Sequence, residues 1–339
     1  YRVTYHGFEN NVGPAPSAHV VPALAPALED EIPEVKNAVR LAHTSPFMAD
    51  PVMQYGEKKF RESRIYFAED AFLSMFSYAM ISGNANKALA MPNQVALSRS
   101  TAERYFGNED PIGRSLTFHR GESGAKELMV TGVFEDVPAN SHLHTDFVVS
   151  FSTLGFNLDQ DWDWGNFYTY IELHPGNVGR TVEAKIPDVI DRHIGKYLQE
   201  RRPAGSRIEF GLQPIQSIHL ESKLWGELEV NGDARIVSFL NVVAIFILII
   251  AWINYINFSI ARSSGNAKEV SIRKISGSSR FQLVAQLLTD SAVINLFAVL
   301  ISLAAIQVTL PVLTVIIDLP EATSFGWDDS FSLMIVFFA

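Results

Sequence analysis

The stretch IVSFLNVVAIFILIIAWINYINFSIA, residues Ile236–Ala261, decides the fold of this 339-residue chain. It holds 26 residues without a charge, and a second uncharged stretch of 27 residues runs from Ser291 to Ile317. A helix needs about 20 apolar residues to cross a bilayer, and core helices of soluble proteins seldom exceed that length. Both stretches are therefore predicted to be transmembrane helices rather than a pair of buried core helices.

Charges around these two stretches indicate their orientation. The net charge of the chain is −10, yet the segment from Arg262 to Arg280 carries five basic residues and a single acidic one. The loop at residues 318–329 carries four acidic residues and no basic one. Short cytoplasmic loops of membrane proteins are rich in lysine and arginine. We therefore predict that residues 262–290 face the cytoplasm and that the loop after the second span lies outside.

The division of the chain follows from this orientation. We predict an extracytoplasmic domain at residues 1–235, a transmembrane helix at 236–261, a cytoplasmic helix and loop at 262–290, a second transmembrane helix at 291–317, a short outer loop at 318–329 and the start of a further transmembrane helix at 330–339. No signal precedes Tyr1 to carry the first domain across a membrane. We expect a fragment that lacks an N-terminal anchor helix and continues past Ala339.

The composition of residues 1–235 excludes several kinds of protein. This part holds 31 of the 37 acidic residues, 22 of the 27 basic residues and all nine histidines. A surface of that charge repels nucleic acid, so nucleic acid is excluded as a partner. The chain has no cysteine, which excludes disulfides and thiolate chemistry.

Short strand patterns outnumber helical ones in the first 235 residues, and no βα unit of constant length repeats. An α+β domain is therefore predicted. Helical spacing of apolar residues predicts a helix over residues 68–81. Ser100, three residues before Glu103, is predicted to cap another helix.

One histidine pattern resembles a metal site. His142, His144 and Asp146 alternate, so on a strand the three side chains would share one face. The pattern is similar to the HxHxDH motif of metallo-β-lactamases, but Phe147 stands where that motif has histidine. A turn with ordinary polar side chains is the alternative reading.

Other candidate motifs are incomplete. Asp159, Asp161 and Asp163 imitate the start of a calcium loop, but Trp164 occupies the position that requires glycine. Three serines, Ser98, Ser100 and Ser141, lack the G-x-S-x-G context of a hydrolase nucleophile. No stretch matches the phosphate loop G-x-x-x-x-G-K-[ST]. We predict no catalytic, cofactor or metal site and no ATPase site in this chain.

The cytoplasmic segment has the pattern of two helices. Gly265 and Gly277 bracket NAKEVSIRKIS, which is long enough for about three turns of an amphipathic helix. Ser279 and Gln282 fit a capping box that begins a second helix leading into the membrane. A basic helix held passively by anionic lipid is the alternative reading.

The segment ARSSGNAKEVSIRKISGSSRFQLVAQLLTDSAVINL resembles the signature loop of the FtsX/MacB family of ABC transporter permeases. The matching residues are Lys268, Glu269, Val270, Ile272, Arg273, Lys274, Gly277, Ser278 and Ser279. Two further stretches, SRSTAERYFGNEDPIGRSL and VTGVFEDVPANSHLHTDF, are similar to the MacB-like periplasmic core domain of the same family, in the form common in Bacteroidota.

The resemblance implies a function for the whole chain. It implies a multi-pass inner-membrane permease of a MacB/FtsX-type transporter, with residues 1–235 in the periplasm. The matching loop residues would couple the permease to an ABC ATPase subunit, which hydrolyses the ATP. ATP-driven motion would cross the membrane to the periplasmic domain, for export (efflux) or extraction of a substrate. A second permease copy or homologous half, membrane lipid, and a periplasmic or outer-membrane protein are the other implied partners.

Two other functions remain open from the residues alone. The chain could be a membrane-anchored sensor whose periplasmic domain binds a ligand and whose spans signal inward. It could also be an anchored metal hydrolase built on His142, His144 and Asp146. The sequence does not identify a substrate.

Overall fold

A computed structural model describes residues 1–8, 16–45, 51–120, 124–138, 141–201, 207–275, 277 and 279–317. The predicted outer loop at 318–329 and the start of a further span at 330–339 lie outside these residues. The chain divides into two compact units, Tyr1–Asp233 and Ala234–Ala339.

The first unit contains twelve strands and six helices among its described residues. The strands are β1 (Arg2–Phe8), β2 (Val35–His43), β3 (Val52–Tyr55), β4 (Lys58–Arg61), β5 (Ile65–Ala68), β6 (Met80–Gly83), β7 (Gln94–Ser98), β8 (Ser115–His119), β9 (Ala125–Phe134), β10 (Phe147–Ser150), β11 (Tyr168–Leu173) and β12 (Arg207–Gln213). The helices are α1 (Leu24–Glu31), α2 (Phe72–Met75), α3 (Arg99–Phe106), α4 (Gly179–Glu183), α5 (Ile186–Arg201) and α6 (Ile215–Glu221).

All twelve strands join one mixed sheet. Its order is β12-β1-β11-β2-β5-β10-β7-β9-β8-β3-β4, and β6 pairs separately with β9. Only β5 with β10 and β7 with β9 run parallel; the other pairs are antiparallel. Strands outnumber helices and no βα unit repeats, which confirms the predicted α+β class.

The centre of the sheet is buried on both faces. Every residue of β5 (IYFA) and β10 (FVVS) is buried, as expected for a parallel pair covered on both sides. One face carries a core that includes Phe67, Phe118 and Val149, and the other carries a core that includes Leu41, Ala68 and Val148. A third core packs α1 and α5 against the β1 end of the sheet.

The helix predicted over residues 68–81 is wrong. Within residues 68–81 the structure has one helical turn, α2, after which the backbone turns at Ser77, where φ is +54°. Residues 80–83 instead form β6, which pairs with β9. Phe76 packs edge-on against Tyr170 and Tyr78 against Phe134, so contacts with distant strands override the local helical spacing.

The N-cap of α3 lies two residues before its predicted position. Ser98 is the cap: its buried hydroxyl accepts a hydrogen bond from the Thr101 N–H. The Ser100 hydroxyl instead donates to Asp136 at the surface (2.9 Å). Capping requires extended backbone, which Ser98 has at the end of β7.

The second unit consists of two long helices in its described part, α7 (Ala234–Ile275) and α8 (Arg280–Ile317). Each is long and apolar enough to cross a membrane, over Ala234–Ala261 and Ala292–Thr309 respectively. The prediction of a separate helix between Gly265 and Gly277 is wrong, because α7 continues through Gly265 to Ile275. One helical glycine costs only about 1 kcal/mol, which a helix of this length tolerates.

We expect Ser98→Ala to lower the free energy of unfolding by about 1 kcal/mol, because the first turn of α3 loses its cap. This corresponds to a fall in Tm of about 3 °C for a domain of this size. Ser100→Ala is the matched control, with an expected loss below about 0.5 kcal/mol. Thermal unfolding of the purified chain, followed by circular dichroism, measures both. Equal losses would contradict Ser98 as the cap.

Candidate functional site

The predicted coupling residues lie at the junction of α7 and α8. Six of them occupy the last two turns of α7: Lys268, Glu269, Val270, Ile272, Arg273 and Lys274. Gly277 lies in the connecting turn and Ser279 directly precedes α8. Ser278, the remaining residue of the family-like motif, is outside the described part of the chain.

The connecting turn is short and has a defined geometry. Gly277 has φ of +93°, a conformation that side-chain-bearing residues rarely adopt. The Ser279 hydroxyl accepts a hydrogen bond from the Gln282 N–H (3.3 Å), and the Gln282 side chain accepts one from the Ser279 N–H (3.0 Å). This reciprocal pair confirms the predicted capping box. The start of α8 is therefore fixed by hydrogen bonds between neighbouring residues.

Large apolar side chains are exposed on both sides of this turn. Ile275 is 87% exposed and Phe281 is 82% exposed, and Ile272 is 58% exposed. Exposed apolar side chains of this kind mark sites of contact with another protein or with a membrane. These three residues are called the apolar contact set below.

The residues of the metal hypothesis have separate partners. His142 Nε2 lies 3.2 Å from the Tyr170 hydroxyl, and His144 Nδ1 lies 2.7 Å from Glu229. The two histidines and Asp146 precede β10, which begins at Phe147, so the condition for a shared strand face is not met and the turn reading applies. In the described residues no group of three histidine, aspartate or glutamate side chains could hold a metal ion.

The calcium-like aspartates also serve local structure. Asp161 accepts hydrogen bonds from the backbone N–H groups of Asp163 and Trp164 (3.0 Å each), which forms a tight turn. Asp159 forms an ion pair with Arg40 (2.8 Å).

A buried ion pair that sequence reasoning missed lies in the first unit. The Arg2 guanidinium is fully buried and donates to both carboxylate oxygens of Glu227, at 2.6 and 2.7 Å. It also donates to Gln213 (2.7 Å) and Ser222 (3.0 Å). The pair joins residues 225 positions apart in the chain. No local pattern could have signalled it.

A second carboxylate two residues later is held in the same way. Glu229 accepts hydrogen bonds from the backbone N–H of His144 (2.6 Å) and from its ring (2.7 Å). Arg2, His144, Glu227 and Glu229 are called the clasp below. Both carboxylates belong to the stretch that directly precedes α7, so the clasp fixes this stretch to the sheet.

Burial and charge set the protonation of the histidines near the clasp. Burial, helped by the Arg2 guanidinium, lowers the pKa of His142 to about 4, against the opposite influence of Glu229 and Glu227. The hydrogen bond to Glu229 raises the pKa of His144. Burial opposes ionisation of Glu229, but the hydrogen bonds from His144 lower its pKa overall. His142 is thus neutral, whereas His144 and Glu229 form a charge-assisted pair.

Comparison with known proteins points to a membrane transport family. Residues 2–189 match the family described as MacB-like periplasmic core domain. No curated protein matches the chain.

Solved structures of transporter domains are similar to part of the chain. A domain assigned to a permease of Porphyromonas gingivalis superposes with a TM-score of 0.53 at 24% identity, and the match covers 63% of this chain and 88% of that one. The periplasmic region of MacB from Actinobacillus actinomycetemcomitans gives a TM-score of 0.42 at 12% identity, with 64% and 90% covered. The extracellular domain of the ABC-type transporter YknZ from Gram-positive bacteria gives 0.39 at 15%, with 60% and 98% covered.

We expect Gly277→Ala to loosen the turn before α8, because φ of +93° costs a residue with a side chain about 1–2 kcal/mol. Hydrogen exchange of the amides at residues 279–284 is expected to accelerate about tenfold. Gly265→Ala is the matched control: it lies inside α7, where alanine stabilises a helix by about 1 kcal/mol. Equal acceleration in both variants would contradict this account of the turn.

We expect the stability of the first unit to fall between about pH 6.5 and pH 4 through His142. In this window the unfolded histidine takes up a proton, with its pKa near 6.5, while folded His142 stays neutral to about pH 4. The unfolded state then binds more protons, so stability decreases as the pH falls, by about 3 kcal/mol in total.

His142→Gln is expected to remove this part of the pH dependence. The carboxylates titrate in both proteins, so the difference between wild type and variant isolates His142. His174→Gln, at an exposed position, is the control and is expected to keep the wild-type slope. Urea unfolding at pH 6.5, 5.5 and 4.5 measures all three. An unchanged slope in His142→Gln would contradict the assignment.

Proposed function

The chain belongs to the family of ABC transporter permeases that carry a MacB-like periplasmic core domain, and from this premise we propose that it couples a separate ATPase to that domain. ATP binding and hydrolysis in the partner subunit would move α7 and α8, and this motion would reach the periplasmic sheet. The work done on the sheet would serve export or extraction of a substrate. A second permease copy or homologous half would complete the transporter.

The apolar contact set is the observation that carries this proposal. Ile272, Ile275 and Phe281 project into solvent at the end of α7 and the start of α8. A partner surface that covers three such side chains would gain about 1.5–3 kcal/mol from each fully buried one. The capping box orders the start of α8 next to Phe281, which reduces the entropic cost of docking there.

Basic residues of the motif add selectivity to this surface. Lys268, Arg273 and Lys274 lie on the same helical end as Ile272 and Ile275. An acidic groove on the ATPase would attract these charges and orient the docking. Membrane lipid would meet the apolar spans, and the basic residues would favour the cytoplasmic side.

The length of α7 supports transmission over a distance. Its 42 residues form one uninterrupted helix, which is about 63 Å long. It contains both the proposed docking end and the residue that follows the first unit. A rigid helix passes a displacement from one end to the other without loss in an internal hinge.

We expect Arg273→Glu combined with Lys274→Glu to lower recovery of the ATPase at least tenfold when the full chain is purified from its native host. Reversal of two charges that dock against an acidic surface costs more than about 1.4 kcal/mol, which is a factor of ten in affinity. Lys59→Glu combined with Lys87→Glu is the matched control, since both lysines are exposed on the first unit.

Ile275→Asp tests the apolar part of the same surface. It removes one member of the contact set and introduces a charge that docking would bury, so it is expected to reduce recovery to a similar extent. Recovery of an ATPase at wild-type level from both variants would refute the coupling role. Recovery of a kinase or cyclase in place of an ATPase would support a sensor.

A further inference from the structure

We propose that the clasp is the joint through which motion of α7 enters the periplasmic sheet, and that it stays closed while the transporter works. This inference rests on the proposed function and deepens it by naming the residues that carry the force. Arg2 and Glu227 are the principal positioning residues, and His144 and Glu229 provide a second attachment.

The clasp lies where α7 leaves the first unit. Glu227 and Glu229 are seven and five residues before Ala234, the first residue of α7. Local contacts close this stretch into a compact loop: the Gly232 N–H donates to the His219 carbonyl (2.8 Å), and Lys223 forms an ion pair with Asp233 (2.7 Å). A pull on the start of α7 therefore reaches the clasp within a few residues.

The Arg2–Glu227 contact is built to resist separation. Two parallel N–H···O bonds fix the carboxylate in one orientation. Arg2 is fully buried, so opening the pair would leave its charge away from water without a carboxylate partner, which is strongly unfavourable. Ser222 contributes a further hydrogen bond to Glu227 from the same side.

Neutral contacts hold the two residues that directly precede Glu227. The Tyr168 hydroxyl donates to the Gly226 carbonyl (2.8 Å), and Gly226 has φ of +74° with the His19 ring against it. The Trp225 N–H donates to the Pro16 carbonyl (2.8 Å), and the Trp225 carbonyl accepts from the Ala18 N–H (2.9 Å). Hydrogen bonds from several elements of the first unit thus hold this short stretch in place, whereas a hinge would lack such contacts.

Strand β1 connects Arg2 to the rest of the sheet through backbone hydrogen bonds. It pairs with β12 over all seven of its residues and with β11 on its other side. Arg2 is the first residue of this strand, so a displacement of Glu227 moves the end of a paired strand. We infer that a displacement of Glu227 is passed to the paired strands through Arg2.

The test uses the full chain with its co-purified ATPase, in lipid nanodiscs, and follows hydrogen exchange with and without a non-hydrolysable ATP analogue. Without nucleotide, Glu227→Gln is expected to accelerate exchange at residues 224–231 about tenfold or more, because the charged hydrogen bonds to Arg2 are lost. With nucleotide, it is expected to abolish the response of the sheet amides while the ATPase rate stays within about twofold of wild type.

Two further variants separate a force-carrying role from a merely structural one. Glu62→Gln is the control: it weakens the ion pair of another buried carboxylate, Glu62, with the exposed Arg104, away from the stretch before α7. It is expected to lower stability and keep the nucleotide response. Glu229→Gln removes only the second attachment and serves if Glu227→Gln does not fold.

A covalent replacement completes the design. Ser17 and Trp225 are bridge partners on neighbouring extended segments, at a spacing that a disulfide can span. The chain has no cysteine of its own, so Ser17→Cys with Trp225→Cys forms a single defined bond. This bond is expected to restore the nucleotide response of Glu227→Gln under oxidising conditions, and dithiothreitol is expected to remove it again.

The outcomes separate a failure of the closed joint from a failure of the proposed function. A full nucleotide response in Glu227→Gln, or loss of the response when the disulfide forms in the otherwise wild-type chain, would overturn the closed joint. Absence of any response in the wild-type chain would instead overturn the proposed function. Unchanged exchange at residues 224–231 in nucleotide-free Glu227→Gln would overturn the clasp itself.

Discussion

A buried arginine with one carboxylate partner constrains the whole first unit. Arg2 has no contact with water, so its charge requires Glu227 at hydrogen-bond distance. This requirement brings the last residues of the unit back to its first strand and closes the chain around the sheet. The contact therefore ties the stretch from Ser222 to Glu227 to the start of β1.

The second unit depends on a different constraint, the continuity of α7. Backbone hydrogen bonds of a helix are satisfied internally, so the same helix serves in lipid and beyond it. The helix ends only at Ile275, Gly277 follows with a positive φ, and the capping box at Ser279 begins α8. The candidate membrane span and the basic motif therefore lie on one continuous helix.

Features encoded in neighbouring residues could be predicted from the sequence. The two apolar spans, the α+β class, the capping box at Ser279 and the family resemblance all follow from local patterns. Predictions failed where contacts between distant residues determined the secondary structure, or where the energetic cost of an unfavourable residue was small. The end of the predicted helix at residues 68–81 instead pairs with β9 as strand β6. Gly265 stays helical because the energetic cost of one helical glycine is small. The Arg2–Glu227 pair joins residues 225 positions apart, so spacing carried no signal.

Strand β4 has a consequence for how neighbouring copies pack in the membrane. It lies at the end of the sheet with β3 as its neighbour, and all four of its residues, Lys58–Arg61, are exposed. Three of the four are positively charged, and facing rows of like charge repel when two such edges approach. Pairing of this edge with the same edge of a second copy is therefore disfavoured.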